Sequence, residues 1–380
     1  MSEKFSLKDH LFNEVKVTKL SNEIQVAYPE FEGQAFIQYN LSQFPKLELK
    51  ERITCISTGL RKFLPENYRA STEIILRALP EPLDETKSDD DFGDFIYAPY
   101  SEFVATYGCN KDDLSFSLNA IKEITKRFSA EDSIRKFINH FPEVTLETLN
   151  VWTSDKNYHV RRLCSEGTRP KLPWSQKINI SQEQSVYILD KLFSDNTRYV
   201  TRSVANHLND FAKTNPDLII QSINKWAKSG KQEEKEMYFI MKHAFRNLVK
   251  DGNPVALEML GFSDGEGINI SQLTYPSSVL IGQALSFSFF IKSSHDKKAV
   301  IDYTVYFQNK MGQMNSKKVH KLVSLDLERE KDIPVSKNHP FRANMTTRTL
   351  YPGRHRIDIQ VNGEIKSHFE FELKESFLSL

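Results

Sequence analysis

Ser154-Asp155-Lys156-Asn157-Tyr158-His159-Val160-Arg161-Arg162 and Ser194-Asp195-Asn196-Thr197-Arg198-Tyr199-Val200-Thr201-Arg202 align without a gap, 40 residues apart. Ser-Asp, Val and the final Arg coincide. A fainter third copy follows, in which Lys242, Ala244 and Leu248 match Arg202, Val204 and Leu208. A period of about 40 is that of a helix pair stacked on its neighbours. Each Ser-Asp is placed to cap a helix, and the Val and the apolar residues after it face the next repeat. The Arg then recurs at one position of each pair, as an inter-repeat ladder or as a row of cations on one face.

Outward from this stretch the spacing stays helical. LRKFL (60–64), TEIILRAL (72–79), SIRKFINHF (133–141), QSVYILDKLF (184–193), DLIIQSINKWA (217–227) and MYFIMKHAF (237–245) set apolar residues three and four apart. Near residue 265 the period changes to two. LSFSFFIK (285–292), AVIDYTVYFQ (299–308), HRIDIQVNG (355–363) and HFEFELK (368–374) read as strands. The expected architecture is an α-solenoid of HEAT-like helical repeats over 1–262, followed by an all-β immunoglobulin-like sandwich over 267–380. One acidic loop, EPLDETKSDDDFGD (81–94), interrupts the helices. It would repel phosphate, so it is expected away from any nucleic-acid face.

Charge narrows the function classes. The 380 residues carry 51 Lys and Arg against 50 Asp and Glu, so a basic footprint has to be local. Residues 122–213 supply one, with 15 Lys and Arg against 11 Asp and Glu. Residues 266–380 supply another, with 16 against 12. Basic loops in this second part are candidates to add phosphate contacts. The three cysteines, Cys55, Cys109 and Cys164, are scattered, which excludes a disulfide scaffold and argues against structural zinc. No apolar run is long enough for a membrane span, and no signal peptide opens the chain, so a soluble cytoplasmic monomer is expected. Helical arrays of this kind are most often non-enzymatic scaffolds for protein or DNA partners, which is the alternative to catalysis.

Three segments go beyond generic repeat packing. Arg127-Phe128-Ser129-Ala130-Glu131-Asp132 puts an aromatic and a carboxylate pair at a helix start. Arg161 and Arg162 lead into Ser165-Glu166-Gly167-Thr168-Arg169-Pro170-Lys171-Leu172-Pro173-Trp174, a helix end and a proline-stiffened loop presenting Trp174. Arg198 to Asp210 contains Arg202, Asn206 and His207, and runs into Ala212-Lys213-Thr214-Asn215-Pro216-Asp217. With these the chain resembles the DNA-alkylation-repair glycosylases of the AlkC/AlkD superfamily. The Ser165–Trp174 loop and the Arg202–Asp210 helix look like the AlkC branch. Thr347-Arg348-Thr349-Leu350-Tyr351-Pro352-Gly353 is similar to the immunoglobulin-like domain appended to some AlkC proteins.

The resemblance implies excision of cationic N3-methylated bases, 3-methyladenine and 3-methylcytosine, from alkylated double-stranded DNA, without a cofactor or metal and without base flipping. A base with a formal positive charge is already a good leaving group. The protein must instead stabilise an oxocarbenium-like sugar and position water, which an ionised carboxylate does. By resemblance that carboxylate is Glu131, with Asp132 as competitor; helix-dipole complementation is the ordinary alternative for both. Trp174 is the aromatic beside the lesion or else a core residue, and Phe128 stands where AlkD-like proteins have a catalytic tryptophan. Arg162 corresponds to a backbone-contacting arginine. Arg161, Arg169, Arg198, Arg202, Asn206 and His207 are phosphate candidates by type and placement, and Glu166 orients Arg162 or pairs with it structurally.

Overall fold

The 40-residue period becomes a stack of helices. The computed structural model describes residues 6–375 except 85, 88–91, 344, 346 and 347. The middle of the acidic loop and Thr347 therefore lie outside the described residues. The helices are α1 (Leu7–Leu11), α2 (Glu14–Ala27), α3 (Gly33–Gln43), α4 (Leu49–Phe63), α5 (Tyr68–Arg77), α6 (Ala98–Gly108), α7 (Leu114–Thr125) and α8 (Glu131–His140). They continue as α9 (Pro142–Trp152), α10 (Tyr158–Gly167), α11 (Gln182–Leu192), α12 (Arg198–Asp210), α13 (Pro216–Ser229), α14 (Glu234–Ala244), α15 (Arg246–Lys250) and α16 (Pro254–Met259). In the row that carries the site, α4 packs on α6, α6 on α8, α8 on α10, and α10 on α12. The apolar spacing explains the row: α8 buries Ile134, Phe137 and Ile138, and α12 buries Val200, Val204 and Leu208.

The Ser-Asp pairs do something other than the expected capping. Asn157 caps α10 by accepting from the His159 N–H at 2.9 Å. Asp155 Oδ1 accepts from the Asn157 N–H at 2.9 Å, and Asp195 Oδ1 from the Thr197 N–H at 2.8 Å. Each Asp thus closes the turn ahead of its helix, and its second oxygen is left for a cation.

By compactness the chain divides into Met1–Lys213 with Gln221–His243, and Thr214–Ile220 with Ala244–Leu380. The change from helix to strand falls later, after α16. The second unit holds β1 (Ile268–Thr274), β2 (Ser278–Leu280), β3 (Ala284–Ser293), β4 (Lys297–Phe307), β5 (Ser316–Leu327), β6 (Ile333–Pro340), β7 (Gly353–Val361) and β8 (Glu364–Lys374). They form a three-stranded sheet, β1-β3-β6, and a five-stranded sheet, β2-β8-β7-β4-β5. Pairing is antiparallel except between β2 and β8. Leu285, Phe287, Phe289 and Ile291 alternate into one core with Tyr303, Val305, Ile357, Ile359, Phe369 and Phe371. The α15 end is tied to this sandwich: Gln360 Nε2 donates to the Lys250 carbonyl at 3.2 Å. Gly252 and Gly363, both at positive φ, face each other so closely that a Cβ on Gly363 would lie 2.6 Å from the Gly252 Cα. No helix among the described residues is long and apolar enough to cross a membrane.

Candidate active site

Glu131 and Asp132 occupy the first turn of α8, where the helix dipole favours negative charge. Their approach is set upstream. Gly93, at φ +78°, bridges to Phe128, and a Cβ there would fall 1.8 Å from the Arg127 carbonyl oxygen. Phe128 packs on Phe95 with ring centroids 4.8 Å apart. The two ends of the acidic loop are anchored beside these residues: Leu83 N–H donates to the Lys126 carbonyl at 3.0 Å, and the Phe92 ring lies 5.9 Å from the Arg162 guanidinium.

Arg162, from α10, is the hub. Its Nη1 donates to Glu131 Oε2 at 2.9 Å and to Ser129 Oγ at 2.5 Å, and Ser129 Oγ also bonds the same Glu131 oxygen. The guanidinium sits 4.7 Å over the Tyr199 ring. Its Nη2 lies 3.5 Å from Glu166 Oε2. Glu166 in turn accepts from Arg169 Nη1 at 2.6 Å and from Ser203 Oγ at 2.6 Å. Arg169 closes the chain on Asp210 at 2.9 and 3.2 Å. Acid and guanidinium alternate through five side chains, and exposure changes along them. Glu131 is 26% exposed and Arg162 only 7%; Glu166 is 6% exposed, and Arg169 and Asp210 are 13% and 10% exposed.

The electrostatics differ at the two glutamates. Burial would lift Glu166, yet Arg162 and Arg169 and the Ser203 hydroxyl hold it down at about 2. Burial lifts Glu131 above the ordinary carboxylate range, with Arg162 opposing and Glu166 adding to the rise. The arrangement offers one carboxylate to the outside, backed by a cation that favours its ionised form.

Asp132 is on the same turn but differently engaged. Its Oδ2 accepts from Lys50 Nζ at 2.7 Å, and that ammonium also donates to the Trp174 carbonyl. Lys50, on α4, was absent from the sequence candidates. Trp174 is 77% exposed with φ +63°, so it is not a core residue. A bulky side chain in that backbone region is uncommon, and the loop holds it there.

The remaining candidates divide by what their side chains meet. Arg161 bonds Asp195 at 2.6 and 3.0 Å and the carbonyls of Asp155 and Lys156 at 2.9 and 2.8 Å. It is the inter-repeat tie that the spacing offered to Arg202. Arg198 bonds Glu236 at 2.8 and 3.0 Å and lies 3.6 Å over Phe239. His207 is fully enclosed, its Nδ1 3.0 Å from the Ser165 carbonyl, so its side chain does not reach a surface phosphate. Arg202 and Asn206 are half-buried on α12. Asp210, Ser203 and Tyr199, which complete these contacts, drew no role from the sequence, and Asp195 was expected only as a helix cap. A signal existed: 34 residues separate Arg161 from Asp195 and 41 separate Arg169 from Asp210, offsets near one repeat.

A row of stacked helices with a buried carboxylate–guanidinium chain at one helix start, joined to an immunoglobulin-like sandwich, defines the class. Residues 269–375 match the family described as the C-terminal Ig-like domain of the uncharacterised protein YhaZ. The chain is 31% identical over 368 residues to the uncharacterized protein YhaZ of Bacillus subtilis (strain 168), covering 96% of this chain and 98% of that one. It is also similar, with a TM-score of 0.86 and 31% identity, to the Pseudomonas fluorescens alkylpurine DNA glycosylase AlkC bound to DNA containing an abasic site analog. That match covers 97% of this chain and 100% of the other. The chain belongs to the AlkC family.

Proposed function

We propose that this protein is a monofunctional DNA glycosylase that hydrolyses the N-glycosidic bond of cationic N3-methylated bases in duplex DNA, 3-methyladenine first and 3-methylcytosine second. The product is an abasic site. The observation that carries the reading is the near full-length likeness to AlkC, solved on DNA with an abasic site analog, together with Glu131 as the most open carboxylate of its chain.

In this reading the lesion supplies its own leaving-group activation, so no general acid is needed. Glu131 stabilises the positive charge that develops on the sugar and orients the attacking water. Arg162 and Ser129 fix the carboxylate in place, and Arg162 opposes the rise that burial imposes on it. Asp132, tied to Lys50, holds the Trp174 loop, and Trp174 meets the lesion. Residues 1–262 serve as the DNA-processing domain and 267–380 as an accessory domain. The protein works as a cytoplasmic monomer, without base flipping.

The test is release of methylated base from alkylated duplex, followed by chromatography under single-turnover conditions. Glu131→Gln should lose about 10²-fold or more in rate with little change in duplex affinity. Normal excision by Glu131→Gln with an inactive Asp132→Asn moves the role to Asp132. Tight duplex binding with no base release by the wild-type chain makes the protein a DNA-binding scaffold instead.

A further inference from the structure

The sandwich has a pocket of its own, far in sequence from the residues discussed above. The strand orders leave β5 at one edge of the five-stranded sheet and β6 at an edge of the three-stranded sheet. Between Tyr303 of β4, these two strands and the segment after β6 lies a cavity of about 480 Å³. That is within the range of small-ligand sites.

Its lining is unusual in charge. Lys318, Lys337, Arg342 and Arg348 contribute four cations, and no carboxylate lines it among the described residues. His320 and His339 stand between them, ring centroids 4.9 Å apart, with His320 stacked on Tyr303 at 5.1 Å. The Tyr303 hydroxyl is 2.9 Å from His339 Nδ1, which fixes the second ring. The Arg348 guanidinium lies 3.6 Å over the Phe307 ring. Two buried nitrogens here have no hydrogen-bond partner among the described residues, His320 Nε2 and Arg348 Nη1. An unpaired buried donor costs free energy, and a guanidinium nitrogen more than most. Burial and the surrounding cations, Lys318, Lys250, Lys337 and Arg348, push His320 down to about 4. Both histidines are therefore neutral near pH 7, His339 also lying at about 4.

We infer that this cavity is a binding site for a phosphomonoester carried on a small organic body. A single carboxylate would answer only one of the four cations. A phosphomonoester brings close to two negative charges and three acceptor oxygens, enough for Arg348, a lysine and an imidazole N–H together. Phosphate alone would leave much of the cavity empty. The wall of Phe307, Phe341, Met345 and Leu350 suits an apolar or planar attachment. Free small phosphates and the 5′-phosphate at the end of a DNA strand share this chemistry. The site rests on the sandwich alone and stands or falls apart from the excision reading.

The test is titration calorimetry on the full chain with deoxyadenosine 5′-monophosphate, deoxyadenosine, and a short single strand with or without a 5′-phosphate. The monophosphate should bind saturably, deoxyadenosine at least tenfold more weakly, and Arg348→Gln and Lys337→Gln should each weaken the monophosphate at least tenfold. Tighter binding of the strand when it carries the phosphate assigns the source to DNA ends; indifference of the strand to its phosphate assigns it to free small phosphates. Should Arg348→Gln fail to fold by thermal unfolding, the half-buried Lys337 variant carries the comparison. Equal binding of nucleoside and nucleotide, absence of saturable binding, or affinity unmoved by the Lys337 and Arg348 variants overturns the inference.

Discussion

Arg161 separates an inter-repeat tie from a phosphate ligand, and the structure sets the size of the effect. Its side chain is 14% exposed and that of Asp195 is 5% exposed, and the two meet through a two-point contact at 2.6 and 3.0 Å. Two further guanidinium bonds go to backbone carbonyls of its own repeat. Arg161→Met removes the cation and leaves the Asp195 carboxylate buried with the Thr197 N–H as its remaining tie. Breaking a buried pair from one side costs about 3–5 kcal/mol. In a unit of this size that lowers the melting temperature by roughly 6–20 °C. Adding Asp195→Asn removes the stranded charge while keeping the turn acceptor, so the double variant should regain at least half of the loss. Calorimetry and duplex binding over a salt series give the two readouts, and the salt slope should be unchanged. A loss under about 1 kcal/mol with the slope reduced by about one phosphate would refute the inter-repeat role.

Three other outcomes follow from the same geometry. His207, His320 and His339 are held at about 3, 4 and 4, so the unfolded chain takes up protons near pH 6.5 before the native one does. Stability should therefore be full above pH 6.5 and fall toward pH 4, by up to about 1.4 kcal/mol per pH unit for each histidine in its own unit; equal urea midpoints at pH 7 and pH 5 would contradict this. Lys50→Ala should change the melting temperature little, since an exposed pair contributes about 0–1 kcal/mol, yet lower excision several-fold by releasing the Trp174 loop; unchanged single-turnover rates would remove Lys50 from the site. A chain ending at Gly265 keeps α15 but strips its contact with β5 and the Gln360 bond to the Lys250 carbonyl, so it should lose protection at its C-terminal end by hydrogen exchange; full protection of α15 in that chain would contradict this.

The helices were legible because their interior residues recur every three or four positions, as in α8 and α12. The expected strands fall on β3, β4, β7 and β8, whose inward residues alternate, overrunning β4 by one residue and β7 by two. The missed β1, β2, β5 and β6 are the edge strands of the two sheets. β5, SKKVHKLVSLDL, fully buries only Leu327, and β6 carries Pro334 and Pro340, which an edge tolerates and a central strand does not. At the site, the carboxylate pair at a helix start was visible. Lys50 was not, because it reaches Asp132 from 82 residues upstream with no motif around it. The fate of the arginines was equally hidden. A local excess of positive charge suggests a basic face, but Asp195, Asp210 and Glu236 turn Arg161, Arg169 and Arg198 inward, and a charge count carries no information on partners.

The alternating chain also distinguishes its own members. Glu131, Glu166 and Asp210 face two guanidiniums, so the chain holds one acid more than it has cations. Glu166 is the acid between both arginines. Its carboxyl lies at about 2, below the unfolded value, so its ionised form stabilises the native state above about pH 4.5, and that stability is lost as pH falls toward 2. A depression of that size corresponds to about 3 kcal/mol at pH 7. Glu166→Gln leaves Arg162 and Arg169 across a neutral amide in a buried setting, and should cost at least that much. Glu131 has the opposite sign: its raised carboxyl means that ionisation weakens the native state as pH rises, and glutamine there leaves two acids for two cations. Glu131→Gln should thus melt within about 1 kcal/mol of wild type while failing to excise. Thermal unfolding of both variants at pH 7 decides the matter. A stable Glu166→Gln beside an unfolded Glu131→Gln would mean that the exposed end, and not the middle, holds the chain together, and Glu131 would then be a structural acid.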